Sequence, residues 1–387
     1  MVTASPEAFT APPLTLYVHT PWCVRKCPYC DFNSHTAPQT IPEDDYLDAL
    51  LADLDADLTT PEPRPIEAIF IGGGTPSLMS PGFYERLFEA LARRLDLSRL
   101  DEVTLEANPG TVEEARFTGF RRAGINRLSL GVQSFDPAHL ERLGRIHDGD
   151  DASRAVTAAQ AAGFERINID LMHGLPQQTP EQAVTDLRTA LAFNTGHISW
   201  YQLTIEPNTV FHSQPPTLPD EDTLATIQEA GEACLQEHGL QRYEVSAWSR
   251  PGEECRHNLN YWRFGDYLAI GAGGHGKLTH PGADRITRYW KTRRPEDYLN
   301  RIGSRTAGRQ ELEHEDRPLE FLLNTLRLSA GVPTSSFPAR TGLPLERIHD
   351  QLEQLRRRGL LVADEQRLAV TDQGQRFLND VLEAFVP

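Results

Sequence analysis

The feature that most limits the fold of this chain lies between residues 14 and 207. There, short β-rich runs alternate with amphipathic helical stretches at a spacing of about 30 residues. Alternation of this kind marks βα units wound on a parallel sheet. Six runs can be read: LTLYVHT (14–20), EAIFIGG (67–73), EVTLEAN (102–108), RLSLGVQ (127–133), RINIDLMHG (166–174) and HISWYQLTIEP (197–207). Between them lie segments such as PEDDYLDALLADLDADL (42–58) and PGFYERLFEALARRLDL (81–97), opened by proline or acidic residues, as helix starts are. Right-handed crossovers wind such units into a barrel or an open doubly wound sheet. The expected fold class is α/β, a partial (β/α)6 TIM-like barrel.

The polar and glycine-rich oddities gather at the C-terminal ends of these runs. The cysteines follow the first, GGGTP (72–76) follows the second, Glu106 lies in the third, Gln133 ends the fourth and Asp170 lies in the fifth. In a βα barrel that end is where ligands bind.

Beyond residue 210 a helix is expected over 220–239, then the β-like run RYEVSAWS and the segment CRHNLNYWRFGDYLAIGAGGHGK. From about residue 316 three helical pieces precede LLVADEQRLAVT, two short β runs about an acidic turn, a winged-helix-like pattern. The predicted division is a flexible tail (1–13), a barrel core (14–210), a barrel extension (211–310) and a C-terminal helical, winged-helix-like domain (311–387). With 39% of its 387 residues hydrophobic, the chain can bury a core of that size.

Charge and cysteine content narrow the function. A formal charge of −17 repels phosphate backbones, so no nucleic-acid partner is expected. Arg356, Arg357 and Arg358 read as a solvated helix end. No apolar run approaches the roughly 18 residues of a membrane span, and the opening MVTASPEAFTAPP has no basic or apolar leader region. A cytoplasmic protein is expected, whose clustered thiols serve as metal ligands and not as disulfides.

The densest chemical signal is WCVRKCPYC, with Cys23, Cys27 and Cys30 in a C-x3-C-x2-C pattern on the loop after the first strand. Three thiolates so close in sequence wrap three corners of an iron-sulfur cube and leave the fourth iron open. A structural zinc site needs a fourth donor, for which His19 or His35 is a candidate.

This motif, with Tyr29 before the last cysteine, resembles the radical S-adenosyl-L-methionine (SAM) superfamily. The resemblance implies a 4Fe-4S cluster on the three cysteines and SAM chelated at the open iron. GGGTP looks like the family's glycine motif, placing Gly73, Gly74 and Thr75 beside the methionyl ammonium, where side chains would block approach. Tyr17, six residues before Cys23, stands where oxygen-independent coproporphyrinogen III oxidase and its relatives place a SAM contact. Glu106, Gln133, Arg145 and Asp170 fall at further contact positions, and Thr204 does so by spacing alone. Their chemistry suits the task, because carboxylates accept hydrogen bonds from ribose hydroxyls and an arginine pairs with a carboxylate.

Two details separate the oxidases from their relatives. The oxidases carry another cysteine where this chain has Phe32, and HNLNYW (257–262) resembles the HNxxYW motif of HemW-type haem chaperones. That resemblance, which runs over nearly the whole chain, implies haem as cargo, with acceptor haemoproteins, membrane-associated respiratory enzymes among them. It also implies a flavodoxin- or ferredoxin-like electron donor. Homodimer formation and SAM cleavage are left open by the residues. His257, Tyr261, Trp262 and His275 are the expected haem contacts, since haem needs an apolar slot, aromatic planes and an axial ligand. Cys255 and Cys234 read as reduced structural thiols. The alternatives are the oxidase itself, decarboxylating propionate side chains, an RNA-directed radical SAM enzyme, and a zinc protein.

Overall fold

The computed structural model describes residues 8–58 and 62–386. Strands β1 (Leu14–Thr20), β2 (Ile66–Gly73), β3 (Glu102–Ala107), β4 (Arg127–Gln133), β5 (Arg166–His173) and β6 (Gly196–Gln202) run parallel and side by side in chain order. Both faces are covered, so β1 and β4 are buried nearly throughout. The sixth strand is shorter than the run that announced it. After Gln202 the chain leaves the sheet, with the Leu203 N–H donating to the His173 carbonyl and the Leu203 side chain packing on Met172 and Leu175.

Helices α1 (Glu43–Asp57), α2 (Pro81–Ala92), α3 (Thr111–Ala123), α4 (Gly149–Ala161) and α5 (Pro180–Ala192) cross between these strands, and α6 (Glu221–Glu237) follows the last. Their starts are chemically marked. The Ser80 hydroxyl accepts from the Phe83 N–H ahead of Pro81, while Thr179 with Gln182 and Asp148 with Asp151 form capping boxes.

The sheet is larger than the six predicted runs. It has twelve strands, in the order β12-β11-β10-β9-β1-β2-β3-β4-β5-β6-β8-β7. On one side, β7 (Gln241–Glu244) and β8 (Ala247–Ser249) add an antiparallel hairpin to β6. On the other, the segment CRHNLNYWRFGDYLAIGAGGHGK supplies α7 (Arg256–Trp262) and β9 (Asp266–Ile270), which pairs parallel to β1. The meander β10 (His275–His280), β11 (Arg285–Lys291) and β12 (Thr306–Glu311) extends it.

Buried ion pairs tie this extension to the core. Lys291 on β11 is fully buried and donates to Asp53 (2.6 Å) and Asp57 (2.5 Å) of α1, and Asp266 on β9 receives Lys277 and Arg64 at 2.8 Å each. Pairs so enclosed fix register, because displacing either partner strands a charge.

The C-terminal part has its own core of Phe321, Leu322, Phe337, Leu352 and Leu355, built by α8 (Arg317–Thr325), α9 (Ser336–Thr341) and α10 (His349–Arg357). Val332–Pro333 pairs with Arg367–Leu368, and Leu361 bridges Val370, completing the winged-helix-like arrangement. Of the expected tail, residues 1–7 lie outside the described residues. The rest is not loose. The Thr10 N–H donates to Ala339, and Phe9 packs on the C-terminal core beneath the Arg317 guanidinium.

Candidate functional site

The C-terminal ends of the parallel strands open on a cavity of about 570 Å³. Cys23, Cys27, Tyr29, Cys30, Gly73, Gly74, Thr75, Glu106, Gln133, Arg145, Asp170 and Thr204 all line it. The cysteine loop is closed at its base, where Trp22–Cys23 pairs with His35–Thr36, and the Cys30 N–H turns back onto the Cys27 carbonyl.

Each sulfur has polar neighbours, among them Thr75 Oγ1 at 3.5 Å from Cys23, Arg145 Nη1 at 3.6 Å from Cys27 and Ser34 Oγ at 3.9 Å from Cys30. Burial raises the Cys23 and Cys30 pKa values, so metal binding here releases protons. Among the described residues no three His, Cys, Asp or Glu side chains close on a point that would hold a single metal ion.

Neither histidine offered as a fourth zinc donor faces the thiols. The His19 Nε2–H donates to the Asn33 carbonyl (2.9 Å), so in the neutral ring Nδ1 accepts from the Tyr17 hydroxyl (3.0 Å). Burial lowers the His19 pKa to about 4 and keeps it neutral. His35 Nε2 faces Asn33 Oδ1 at 3.4 Å.

Glycine is obligatory beside this loop. Gly73 has φ +114°, and a Cβ there would lie 2.4 Å from the His19 ring, while one on Gly74 would lie 2.5 Å from the Trp22 carbonyl oxygen. The Gly73 N–H donates to Glu106 Oε2 at 3.0 Å. Burial first, and the Asp170 charge second, raise the Glu106 carboxyl to about 7. Burial also raises Asp170, whose carboxylate accepts from Ser129 Oγ (2.9 Å) and Asn168 Nδ2 (2.8 Å). Arg145 donates through Nη2 to Asn108 Oδ1 and to the Gly131 carbonyl, at 2.7 Å each. Tyr201 donates to Gln133 Oε1 at 2.7 Å, and Thr204 to Glu206 Oε1 at 2.8 Å.

Asn108, Ser129 and Tyr201 line the same cavity and were not foreseen. Their signal was period two: Ser129, Gly131 and Gln133 share one face of β4, Asn168, Asp170 and Met172 one face of β5, and Ser199 and Tyr201 one face of β6.

A second cavity, about 530 Å³, adjoins the first; Asp31, Phe32, Gly73 and Glu106 line both. Tyr17 lines the second and not the first, together with His257, Tyr261, Tyr267, His275, Arg288 and Arg293. His257 stacks on Phe70 (5.1 Å between ring centres) and Tyr17 (6.2 Å), and its Nδ1 meets Thr15 Oγ1 at 3.0 Å. Burial lowers its pKa to about 4, so the ring is neutral. His275 is exposed at the rim and stacks on Trp290. Trp262, expected with these residues, lines the first cavity instead, under the Arg327 guanidinium at 4.5 Å. Its ring meets that of Tyr261 edge to face at 4.8 Å, so the two adjacent side chains touch while lining different cavities. Cys255 lines neither cavity; it is buried with its Sγ 3.4 Å from Glu102. Cys234 is buried in the main core.

Residues 17–190 match the Radical SAM superfamily and residues 312–377 the HemN C-terminal domain. Over 375 residues the chain is 49% identical to "Heme chaperone HemW" of Escherichia coli (strain K12), with 97% of this chain and 98% of that one covered. The chain belongs to the HemW family. The HemW of Haemophilus influenzae is 49% identical over 379 residues, covering 97% of this chain and 98% of that one. The HemW of Bacillus subtilis is 34% identical over 376 residues, covering 96% and 98%. Among solved structures, coproporphyrinogen III oxidase (HemN) from Escherichia coli superposes with a TM-score of 0.80 over 97% of this chain and 90% of that one. At 24% identity that likeness establishes the fold.

Radical SAM membership implies a 4Fe-4S cluster and SAM, and the HemW-family donor set fits both. Three thiols face one cavity, each beside a polar group of the kind that tunes cluster sulfurs, with no fourth cysteine or histidine lining it among the described residues. No helix among the described residues is long and apolar enough to cross a membrane.

Proposed function

We propose that this chain binds haem and hands it to acceptor haemoproteins, and that a 4Fe-4S cluster on Cys23, Cys27 and Cys30 with SAM at its open iron governs loading or release. The observation that carries this reading is the shared wall. A cavity with aromatic and histidine sides opens onto the thiol-lined cavity across Phe32, Gly73 and Glu106. When bound, the cluster supplies a low-potential electron and SAM a sulfonium that can accept it.

The chain's own residues hold these groups. Glu106 and Asp170 accept hydrogen bonds from ribose hydroxyls, and Arg145, braced by Asn108 and the Gly131 carbonyl, pairs with the methionyl carboxylate. Gly73, Gly74 and Thr75 give the methionyl ammonium its close approach. Tyr29, Gln133 and Thr204 complete the enclosure, and Tyr17 stands on the haem side of the shared wall. In the second cavity, neutral His257 presents Nε2, which has no hydrogen-bond partner among the described residues, while Tyr261 and Tyr267 supply ring faces. His275 closes the rim. Trp262 serves the SAM side.

In this reading residues 14–210 carry the cofactors, 211–310 the cargo wall, and 311–387 a docking module for acceptors, membrane-associated respiratory enzymes among them. A flavodoxin- or ferredoxin-like protein delivers the electron. The thiolate ligands suit a reducing cytoplasm. Phe32, in place of an extra cysteine, favours transfer over propionate decarboxylation.

The test is haem titration of the wild type, His257→Ala and Cys23→Ala. His257→Ala should bind haem more weakly, with cluster iron unchanged, and Cys23→Ala should lose the cluster. Wild-type haem affinity in His257→Ala overturns the cargo site, and carbon dioxide release from coproporphyrinogen III overturns the choice of chaperone over oxidase.

A further inference from the structure

In a chain of formal charge −17, two arginines face one cavity. Arg288 lies on β11, and Arg293 follows two residues after its end. Both line the second cavity and neither lines the first, whereas the wall common to both carries the carboxylates Asp31 and Glu106. An occupant therefore meets carboxyl groups where the cavities join and guanidinium groups elsewhere, with tyrosine rings besides.

Neither arginine is used up by the fold. Arg288 pairs with Glu320 and hydrogen-bonds the Tyr261 hydroxyl on the same cavity wall, yet its Nε is buried without a partner, which is costly for a charged donor. Arg293 is exposed; its Nε reaches Asn33 Oδ1 at 3.4 Å, and its terminal nitrogens have no partner among the described residues. His275 reports that both face one space. Burial lowers its pKa first, then the positive fields of Arg293 and Arg288.

We infer that Arg288 and Arg293 anchor the two propionate groups of the cargo, so that the second cavity selects a planar tetrapyrrole dicarboxylate with its acidic edge turned away from Glu106. This rests on the haem reading above. Guanidinium groups hold carboxylates through forked, charge-assisted hydrogen bonds, and the reversed orientation would set the propionates against the carboxyl groups of Asp31 and Glu106, where no cation lines the shared wall. The arginines thereby fix which edge of the macrocycle meets His257 and the SAM cavity.

The test compares haem with its dimethyl ester, in which both propionates are neutral, on the full-length, cluster-loaded chain at physiological salt. The wild type should bind haem at least about tenfold more tightly than the ester. Arg293→Ala, at an exposed position that leaves folding intact, and Arg288→Gln should each weaken haem binding about tenfold and leave the ester unchanged. Equal wild-type affinity for haem and ester overturns the anchor while the haem reading stands. Variants that lose haem and ester alike also overturn it. A wild type that binds neither overturns the haem reading and the anchor together.

Discussion

Replacing Glu106 by glutamine should separate stability from ligand binding. Burial and the neighbouring Asp170 raise its carboxyl from 4.5 to about 7. Between those two pH values the folded chain holds a proton that the unfolded chain has released, so stability falls as pH rises through this window. Above pH 7 the whole penalty is present. At about 1.4 kcal/mol per pH unit, the rise corresponds to about 3 kcal/mol. Glutamine carries no charge and keeps an oxygen for the Gly73 N–H. Without ligand, Glu106→Gln should therefore be more stable than wild type at pH 8, by about 1–3 kcal/mol, with the gap closing towards pH 4.5. SAM affinity should move the other way. A neutral amide accepts more weakly from ribose hydroxyls than a carboxylate does, so about a tenfold loss is expected. Wild-type SAM binding should also weaken as pH falls below 7, while the variant stays flat. Denaturant unfolding and calorimetric SAM titration at a series of pH values read all three. A variant less stable than wild type at pH 8, or one with unchanged SAM affinity and pH dependence, refutes the argument.

Arg145→Lys keeps the charge but loses the fork shared between Asn108 and Gly131; SAM affinity should drop about tenfold with iron content unchanged, measured by titration and metal analysis. Gly73→Ala forces a Cβ against the His19 ring at a positive φ and should destabilise the chain by about 1–3 kcal/mol. Gly82→Ala, whose nearest atom lies at 4.0 Å in helix α2, should be neutral or stabilising by denaturant midpoint. Lys291→Met leaves buried Asp53 without its cation and Asp57 with Arg309 alone at 3.7 Å, and should cost about 3–5 kcal/mol at neutral pH, less in acid, because burial raises the Asp53 carboxyl.

The parallel strands were legible because short β-rich runs alternate with amphipathic helices at a steady spacing, and their helices announce themselves through Ser80, Thr179 and Asp148 caps. The thiol loop was legible because its three cysteines are local in sequence. The strands added beyond β1, β9 to β12, were not. Residues 266–270 carry a glycine on each flank and reach β1 only through a long connection, so their pairing depends on tertiary contacts such as Lys277 with Asp266. Asn108, Ser129 and Tyr201 escaped notice because singly each resembles an ordinary polar residue; only the alternating face, visible once strand register is known, groups them. Trp262 parted from Tyr261 for a similar reason. Adjacent residues on the short helix α7 point into different cavities, and sequence proximity does not show which.

The account depends on three sulfurs holding an iron-sulfur cube with one iron left for SAM. Electron paramagnetic resonance of the dithionite-reduced, anaerobically prepared chain, recorded with and without SAM, tests this most directly. A cluster signal that shifts on adding SAM, and that is absent from Cys27→Ala, is the expected result. A wild type without that signal, or with one indifferent to SAM, contradicts the account.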